Sequence, residues 1–470
     1  MRHLLRKSAA VFPRPKLPFI SLRLLSSSSV KRQETESFAA PDDHYDVVVS
    51  GGGMVGFAAA CVLGRSKRLS DRRILLLEGG PKKPWSLPKE YTNRVCALSG
   101  HTQRLFEKHG IWEHIMRMRA QPVRRMQVWE SCSEAMITFD EQYQDDVVAH
   151  IVENDVILQA IKNQMPDHVE VQFNSKVDGY DLPQDSSSRV TISLANGKTL
   201  STDLLIGADG AKSLVRQTMG SQYLGWEYDQ MGIVATLQLS EPSDNTVAWQ
   251  RFLPTGPIAL LPLTDDRSSL VWSTTKDNAK TLLELPEEEF TDALNRAIWD
   301  NSRTDQTVQA VHEKWMNMLD VLIPSQGVDV RQLPPSVSAV IPGSRGAFPL
   351  GLGHAVHYVA PRVALIGDAA HRVHPLAGQG VNLGFGDVTS LSETLEKAVL
   401  LGADIGDVRE LHKYESERQK HNVATMASID GLYRLYSCNA TPVVLLRSLG
   451  LSAVNVLSPL KRYIMKHAES

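Results

Sequence analysis

The sequence predicts an α/β fold in which a parallel sheet is interrupted by an inserted antiparallel sheet and followed by a helical C-terminus. Three observations predict it. A β-branched run, Tyr45–Ser50, meets Gly51-Gly52-Gly53-Met54-Val55-Gly56 and then the apolar helical stretch Phe57–Leu63. Residues 232–275 leave that pattern for four alternating or apolar runs broken by Pro, Gly and Asp. Residues 380–470 then read as mostly helical, with Pro442 and Pro459 as breaks.

Taken in order, Arg73–Leu77 is a second strand ending in Glu78, which completes a strand–turn–helix–strand unit. Asn154–Met165 reads as a helix and Val169–Phe173 as a strand. Val190–Leu194 and Thr199–Ser201 flank the hairpin turn Asn196-Gly197, and Leu204–Gly207 is a further apolar strand. The inserted antiparallel strands are Ile233–Leu239, Val247–Leu253, Ile258–Leu263 and Leu270–Thr274, the expected floor of a substrate pocket. Residues 286–323 look helical, and Val363–Ile366 returns to the core sheet.

Composition narrows the class. A chain of 470 residues with 42% hydrophobic and 22% charged residues suffices for separate cofactor and substrate layers. Residues 1–33 carry eight Lys or Arg and no acid; without them the formal charge is −11, which argues against a nucleic-acid partner. Residues 1–40, Arg- and Ser-rich and free of acids through residue 33, read as a mitochondrial transit peptide. Cys61, Cys96, Cys132 and Cys438 are scattered, so no metal site or disulfide framework is expected. No apolar run is long enough for a transmembrane helix.

Three segments carry the chemistry. In the first, Gly51 permits a tight turn, Gly53 lets a pyrophosphate approach, and Gly56 lets helix pack on strand. The helix N-terminus faces the phosphates, and Glu78 is placed to accept the ribose hydroxyls of an adenosine. In the second, Asp209-Gly210 ends the strand Leu204–Gly207, with Ser213 and Arg216 following. Asp209 either holds a helix start or reaches the pyrophosphate region. In the third, Gly367-Asp368-Ala369-Ala370-His371 places Asp368 for ribitol hydroxyls. Pro375-Leu376-Ala377-Gly378-Gln379-Gly380 then opens a helix containing Asn382, whose amides can stabilise negative charge on a reduced flavin. Gripped at both ends and the middle, the ligand is FAD, bound by a Rossmann-like domain.

These segments resemble the Gly-x-Gly-x-x-Gly, Asp-Gly and Gly-Asp motifs of the aromatic-ring flavin monooxygenases typified by para-hydroxybenzoate hydroxylase. Outside them, Met126-Gln127-Val128-Trp129-Glu130, Ile151-Val152-Glu153-Asn154-Asp155, Trp249–Leu263, Phe348–His354 and His371–Phe385 are similar to the ubiquinone-biosynthesis branch of that family, from about residue 45 onward. The resemblance implies FAD contacts at Gly51, Gly53, Gly56, Glu78, Arg94, Asp209, Asp368, Gly380 and Asn382. His150 stands where the family has a glycine, which leaves local substrate-side geometry open. His374, in the flavin-facing loop, is an acid–base candidate weighed against a structural histidine.

What the resemblance implies about activity is an FAD-dependent monooxygenase that hydroxylates ring C5 of a polyprenylated hydroxybenzoate or phenol, using O2 and a flavin C4a-hydroperoxide. The implied electron donor is a ferredoxin with its reductase, or NAD(P)H; other ubiquinone-biosynthesis proteins in a complex are implied as well. An NAD-dependent dehydrogenase would use only Gly51–Glu78, and a non-catalytic flavin-stabilised subunit would bind FAD without turning over. Residues 431–468 hold five basic and no acidic residues, with Val443, Leu446, Leu449, Ala453 and Leu457 at helical spacing. Such a segment lies on the matrix side of the inner membrane, or packs on the enzyme body. The expected organisation is FAD-binding domain at 44–124, 154–220 and 341–405, substrate domain at 125–153 and 221–340, and a helical C-terminal segment at 406–470.

Overall fold

The computed structural model describes residues 43–140, 147–302, 306–322, 332–375, 378–457 and 461. The transit-peptide expectation for residues 1–40 lies outside them, as do Leu376, Ala377, Pro459, Arg462 and Lys466.

The first sheet grows from the strand Asp43–Ser50, which pairs in parallel with Ile74–Leu77 on one side and Thr199–Gly207 on the other. Val169–Gln172 and Val363–Leu365 extend it in the same sense, and Val190–Leu194 adds an antiparallel branch. Its central residues, among them Val48, Val49, Leu76, Ile206 and Ala364, are fully buried, as expected of strands covered on both faces. The helices Met54–Arg65 and Gly380–Leu400 pack on each other beside it.

Thr199–Gly207 is one strand, where two were expected. The polar pair Thr202-Asp203 reads as a break, yet both residues are satisfied in place. Thr202 Oγ1 lies within 3.3 Å of the Asp46 carbonyl, and Asp203 pairs with Arg189 at 2.9 Å.

The second sheet runs His371–Arg372, Gly346–Ala355, Tyr223–Leu239, Arg267–Thr275, Gly256–Thr264, Val247–Leu253, Arg125–Glu130, Met136–Asp140. It is antiparallel throughout this order except that Arg125–Glu130 pairs with Val247–Leu253 in parallel. Alternation fixes which face of a strand is buried but carries no information about strand direction, so this joint was invisible in the sequence. The sheet also extends past the expected limit at residue 340, through Gly346–Ala355 to His371–Arg372. Ala149–Glu153 joins neither large sheet; with Val95–Leu98 and Gln121–Val123 it makes a small third one.

One face of the second sheet packs Trp249, Leu260, Leu270 and Trp272 onto Phe290, Leu294 and Ile298 of the helix Glu287–Trp299. The other face looks into a cavity. The C-terminal helices are Val408–Ser437 and Thr441–Val456; Pro442 lies in the first turn of the second and starts it, because its missing N–H costs nothing there.

Candidate functional site

A cavity of about 930 Å³ lies between the two large sheets, and all three motif segments reach it. Gly53–Gly56, Ala208 and Gly210, Asp368, and Gly378–Asn382 line one side. Val123, Met126, Ala248, Gln250, Ala259, Leu261 and Val271 line the other. Side chains from the second sheet thus face backbone from the first.

The glycines divide by what surrounds them. Gly51 sits at φ +113, and a Cβ there would come within 2.4 Å of the Ala208 carbonyl oxygen. A Cβ on Gly56 would stand 1.9 Å from the Gly51 oxygen. A Cβ on Gly53 would meet no protein atom within 4 Å, so the surface above Gly53 is open to a ligand. The helix that starts at Met54 has no side-chain cap, and its N-terminal amides therefore face the cavity with their partial positive charge. That is the cradle a pyrophosphate requires.

Glu78 ends its strand beside this turn. Its Oε2 accepts the Gly52 amide at 2.9 Å and its Oε1 the Gly80 amide at 2.5 Å. The carboxylate thereby fixes the glycine turn, and each oxygen keeps a second lone pair for a ribose hydroxyl.

Asp209 realises the helix-start reading. Its Oδ2 accepts the amides of Leu214 at 2.7 Å and Val215 at 3.2 Å, while Oδ1 is buried without a hydrogen-bond partner. Asp209 is absent from the cavity wall, where its neighbours Ala208 and Gly210 stand. Arg216 proves to be a joint that the sequence did not reveal. It donates to the Ala369 carbonyl at 2.6 Å and to the Ala211 carbonyl at 2.7 Å, and so ties the second segment to the third.

Asp368 opens onto the cavity, and the protein packed around it pushes its carboxyl above the usual range, against the pull of His371 and Arg372. Gly367, at φ +59, makes the turn that presents it. Beneath lies a buried cluster of which the motifs gave no hint. Asp387 accepts the Gly367 amide at 2.9 Å and His371 Nε2 at 2.6 Å through Oδ2, and Arg418 at 2.9 Å through Oδ1. An acid in the otherwise uncharged first part of the helix Gly380–Leu400, before Glu393, was the only available signal.

Asn382 lines the cavity, but its amide braces protein. Oδ1 accepts from the Ser99 amide and the Thr102 hydroxyl, and Nδ2 donates to the Ala97 carbonyl at 2.8 Å. It holds the start of its helix against residues 97–102. Gly380 stands at that helix start and lines the cavity with it. Arg94 also faces the cavity.

His374 does not line the cavity. Its ring is fully buried between Tyr228 and Tyr433, with Nε2 3.2 Å from Gln230 Oε1. Burial lowers its pKa to about 4, partly offset by Asp430, so the ring is neutral at pH 7. The structural role prevails over the acid–base one. His150 likewise turns from the cavity and packs edge-on against Trp112, ring centres 4.8 Å apart.

Residues 44–320 and 344–428 match the family model described as "FAD binding domain". The chain belongs to that family. Its members bind FAD, in agreement with a cavity gripped by three backbone-rich segments. Among curated relatives, "Ubiquinone biosynthesis monooxygenase COQ6, mitochondrial" of Danio rerio is 50% identical, covering 94% of this chain and 93% of the relative. The Homo sapiens protein of the same name is 52% identical over 92% and 94%. Among solved structures, the fold is shared with PqsL, a probable FAD-dependent monooxygenase from Pseudomonas aeruginosa. Its TM-score is 0.65 at 20% identity, over 87% of this chain and 99% of that one. The p-nitrophenol 4-monooxygenase PnpA from Pseudomonas putida DLL-E4 also has a TM-score of 0.65, at 18% identity over 91% and 99%.

Among the described residues, no helix is long and apolar enough to cross a membrane. The C-terminal helix corrects one part of the membrane-surface expectation. Arg447 is buried, donating to Glu130 at 2.6 Å and to the carbonyls of Leu435, Tyr436 and Cys438. Arg434 pairs with Asp430 at 2.6 Å. Arg447 is thus withdrawn from any membrane surface, whereas Arg434 stays exposed beside its partner. Of the expected apolar stripe, Leu446 is 70% and Leu457 40% exposed, while Val443, Leu449 and Ala453 are half-buried.

Proposed function

We propose that this protein is an FAD-dependent monooxygenase of ubiquinone biosynthesis, hydroxylating ring C5 of a polyprenylated hydroxybenzoate or phenol. The observation that carries the reading is the single cavity joining an FAD cradle to an apolar pocket floor. Two curated relatives at half identity, each a ubiquinone-biosynthesis monooxygenase by name, support it.

Bound FAD supplies the redox chemistry: with O2 and two electrons, one oxygen atom enters the ring and the other leaves as water. This chain's residues hold and orient the partners. Gly53 and the Met54–Arg65 helix start would receive the pyrophosphate on the turn that Gly51 and Gly56 make possible, and Glu78 would receive the adenosine ribose. Asp368 receives the ribityl chain, and Asp209 braces the turn beside the pyrophosphate. Arg94, Gly380 and the helix start braced by Asn382 lie at the isoalloxazine end, where amide dipoles favour negative charge. Val123, Met126, Phe139, Leu261 and Val271 form the apolar wall that keeps water from the reacting centre.

Electrons come from a ferredoxin and its reductase, or from NAD(P)H, which would bind transiently because the chain has one adenosine-type glycine turn. The enzyme works on the matrix face of the inner membrane with other ubiquinone-biosynthesis proteins, and exposed Leu446 and Leu457 are the part of the fold that supports a lipid contact. Incubating the FAD-loaded protein with a prenylated phenol, O2 and each donor in turn, followed by product NMR, tests this. Hydroxyl at C5 is expected; hydroxyl elsewhere, or no product with either donor, overturns the reading.

A further inference from the structure

The strand Val247–Leu253 carries two polar side chains in succession, on opposite faces, with opposite fates. Arg251 points into the protein and donates to the carbonyls of Ile298 and Asp300 and to Asn301 Oδ1, at 2.5–2.8 Å. Gln250 points the other way, into the cavity. The residue is 6% exposed, and among the described residues its amide has no hydrogen-bond partner; its polar atoms meet the cavity rather than being sealed in the protein.

The surroundings make this unusual. Across the sheet, Gln250 is the last cavity-lining member of a row that runs Gly346, Val234, Val271, Ala259, Gln250 by strand register; the row continues to Val128 and Ile137, which do not line the cavity. It is the one polar side chain in a row of small and apolar ones. Once a ligand fills the cavity, leaving such an amide without a partner costs on the order of 1–3 kcal/mol, so a bound molecule is expected to pair with it. Here the idle amide faces the space that the substrate ring must occupy.

We propose that Gln250 is the polar anchor of the substrate ring: its side-chain amide hydrogen-bonds the ring hydroxyl and fixes which ring edge turns toward the Asp368–Gly380 end of the cavity. This rests on the hydroxylase reading above. An amide offers an acceptor and donors, and a phenol offers one of each, so the pair fits in either amide orientation. On an otherwise apolar floor the anchor also sets selectivity. A ring lacking the hydroxyl leaves the amide unpaired and is rejected, whereas an apolar wall alone discriminates weakly.

Titration of the FAD-loaded protein with a short-chain prenylated phenol and with its counterpart lacking the hydroxyl tests the anchor, read from the change in flavin absorbance on binding. The wild-type protein is expected to bind the phenol roughly 10- to 100-fold more tightly, the factor one buried hydrogen bond supplies. The Gln250→Met variant is expected to bind both compounds alike, with FAD retention unchanged. If wild type does not discriminate, or if the variant discriminates as strongly as wild type, the anchor is overturned. Loss of FAD from Gln250→Met overturns it too, since Gln250 would then serve the cofactor. If neither compound perturbs the flavin of the wild type, the substrate reading itself fails; binding with unchanged discrimination sinks Gln250 alone.

Discussion

The amide of Gly367 donates a 2.9 Å hydrogen bond to Oδ2 of Asp387, a carboxylate fully buried under the turn that presents Asp368. His371 and Arg418 pair with it at 2.6 and 2.9 Å, and Asn422 Nδ2 donates to Oδ1 at 3.3 Å. The flavin-side turn therefore stands on a buried ion cluster, and the cavity's shape depends on it. Removing Asp387 leaves the Arg418 charge buried and uncompensated. Asp387→Ala is expected to destabilise the fold by about 3–5 kcal/mol and to lower FAD retention, measured by denaturant unfolding and by flavin content.

The same cluster predicts a pH dependence. Burial alone would raise the Asp387 carboxyl, but the charge and hydrogen bond of His371, with Arg418 and the Gly367 amide, outweigh it and hold it at about 2. Its folded value lies below the unfolded one of about 3.9. The stabilisation is thus complete above that value and lost as pH falls from 4 toward about 2. Thermal melts of wild type and Asp387→Asn are expected to converge across that window and to stay apart at pH 6.

Gly53 and Gly56 separate cofactor binding from folding. Gly53 has an ordinary φ of −73 and open space where a methyl would go, so Gly53→Ala is expected to fold normally. Its methyl would occupy the open space where a phosphate would approach backbone, and losing one such charge-assisted bond would weaken FAD binding by about 1.5–3 kcal/mol, roughly tenfold or more. In Gly56→Ala the new carbon lies 1.9 Å from a backbone oxygen, and the protein is expected not to fold. Fluorescence titration with FAD and the yield of soluble protein check the two outcomes.

His374 predicts a slope of the same sign at milder pH. Held near 4 by burial while the unfolded ring titrates near 6.5, it takes up a proton on unfolding. Its contribution to stability falls as pH drops from about 6.5 to 4. His374→Phe is expected to flatten that slope in thermal melts and to leave the pH profile of hydroxylation unchanged above pH 6.

The C-terminal helix is clamped by Arg447 and Glu130, with Ser448 also donating to Glu130. Arg447→Met is expected to cost about 3–5 kcal/mol, because Glu130 is left buried and unpaired, and Glu130→Gln in the same chain recovers much of it. Denaturant midpoints of the two single variants and the double variant measure the coupling.

The strand–turn–helix unit at Tyr45–Leu77 was legible in the sequence because apolar periodicity and glycine spacing are local properties. So were the strands Val190–Leu194 and Val247–Leu253, whose expected limits are also the observed ones. Relations across the chain were not legible. The parallel joint between Arg125–Glu130 and Val247–Leu253, the long strand through Thr202-Asp203 and the third small sheet depend on partners distant in sequence. For the site, glycines and strand-end acids could be named from motif spacing. The roles of Asp387, Arg216 and Gln250 could not, because they come from what stands opposite them: a turn amide, a carbonyl and the cavity. Arg447 shows the converse, a basic residue in an apolar helix that looked like a lipid contact and is a buried ion-pair partner.

The most direct test is the fate of molecular oxygen. The FAD-loaded protein, a prenylated phenol and a ferredoxin with its reductase, or NAD(P)H, are incubated under ¹⁸O2, and the product is read by mass spectrometry. One labelled oxygen atom in the ring is the result predicted. Product carrying oxygen from water, or oxygen consumption that yields only hydrogen peroxide with both donors, would contradict the account.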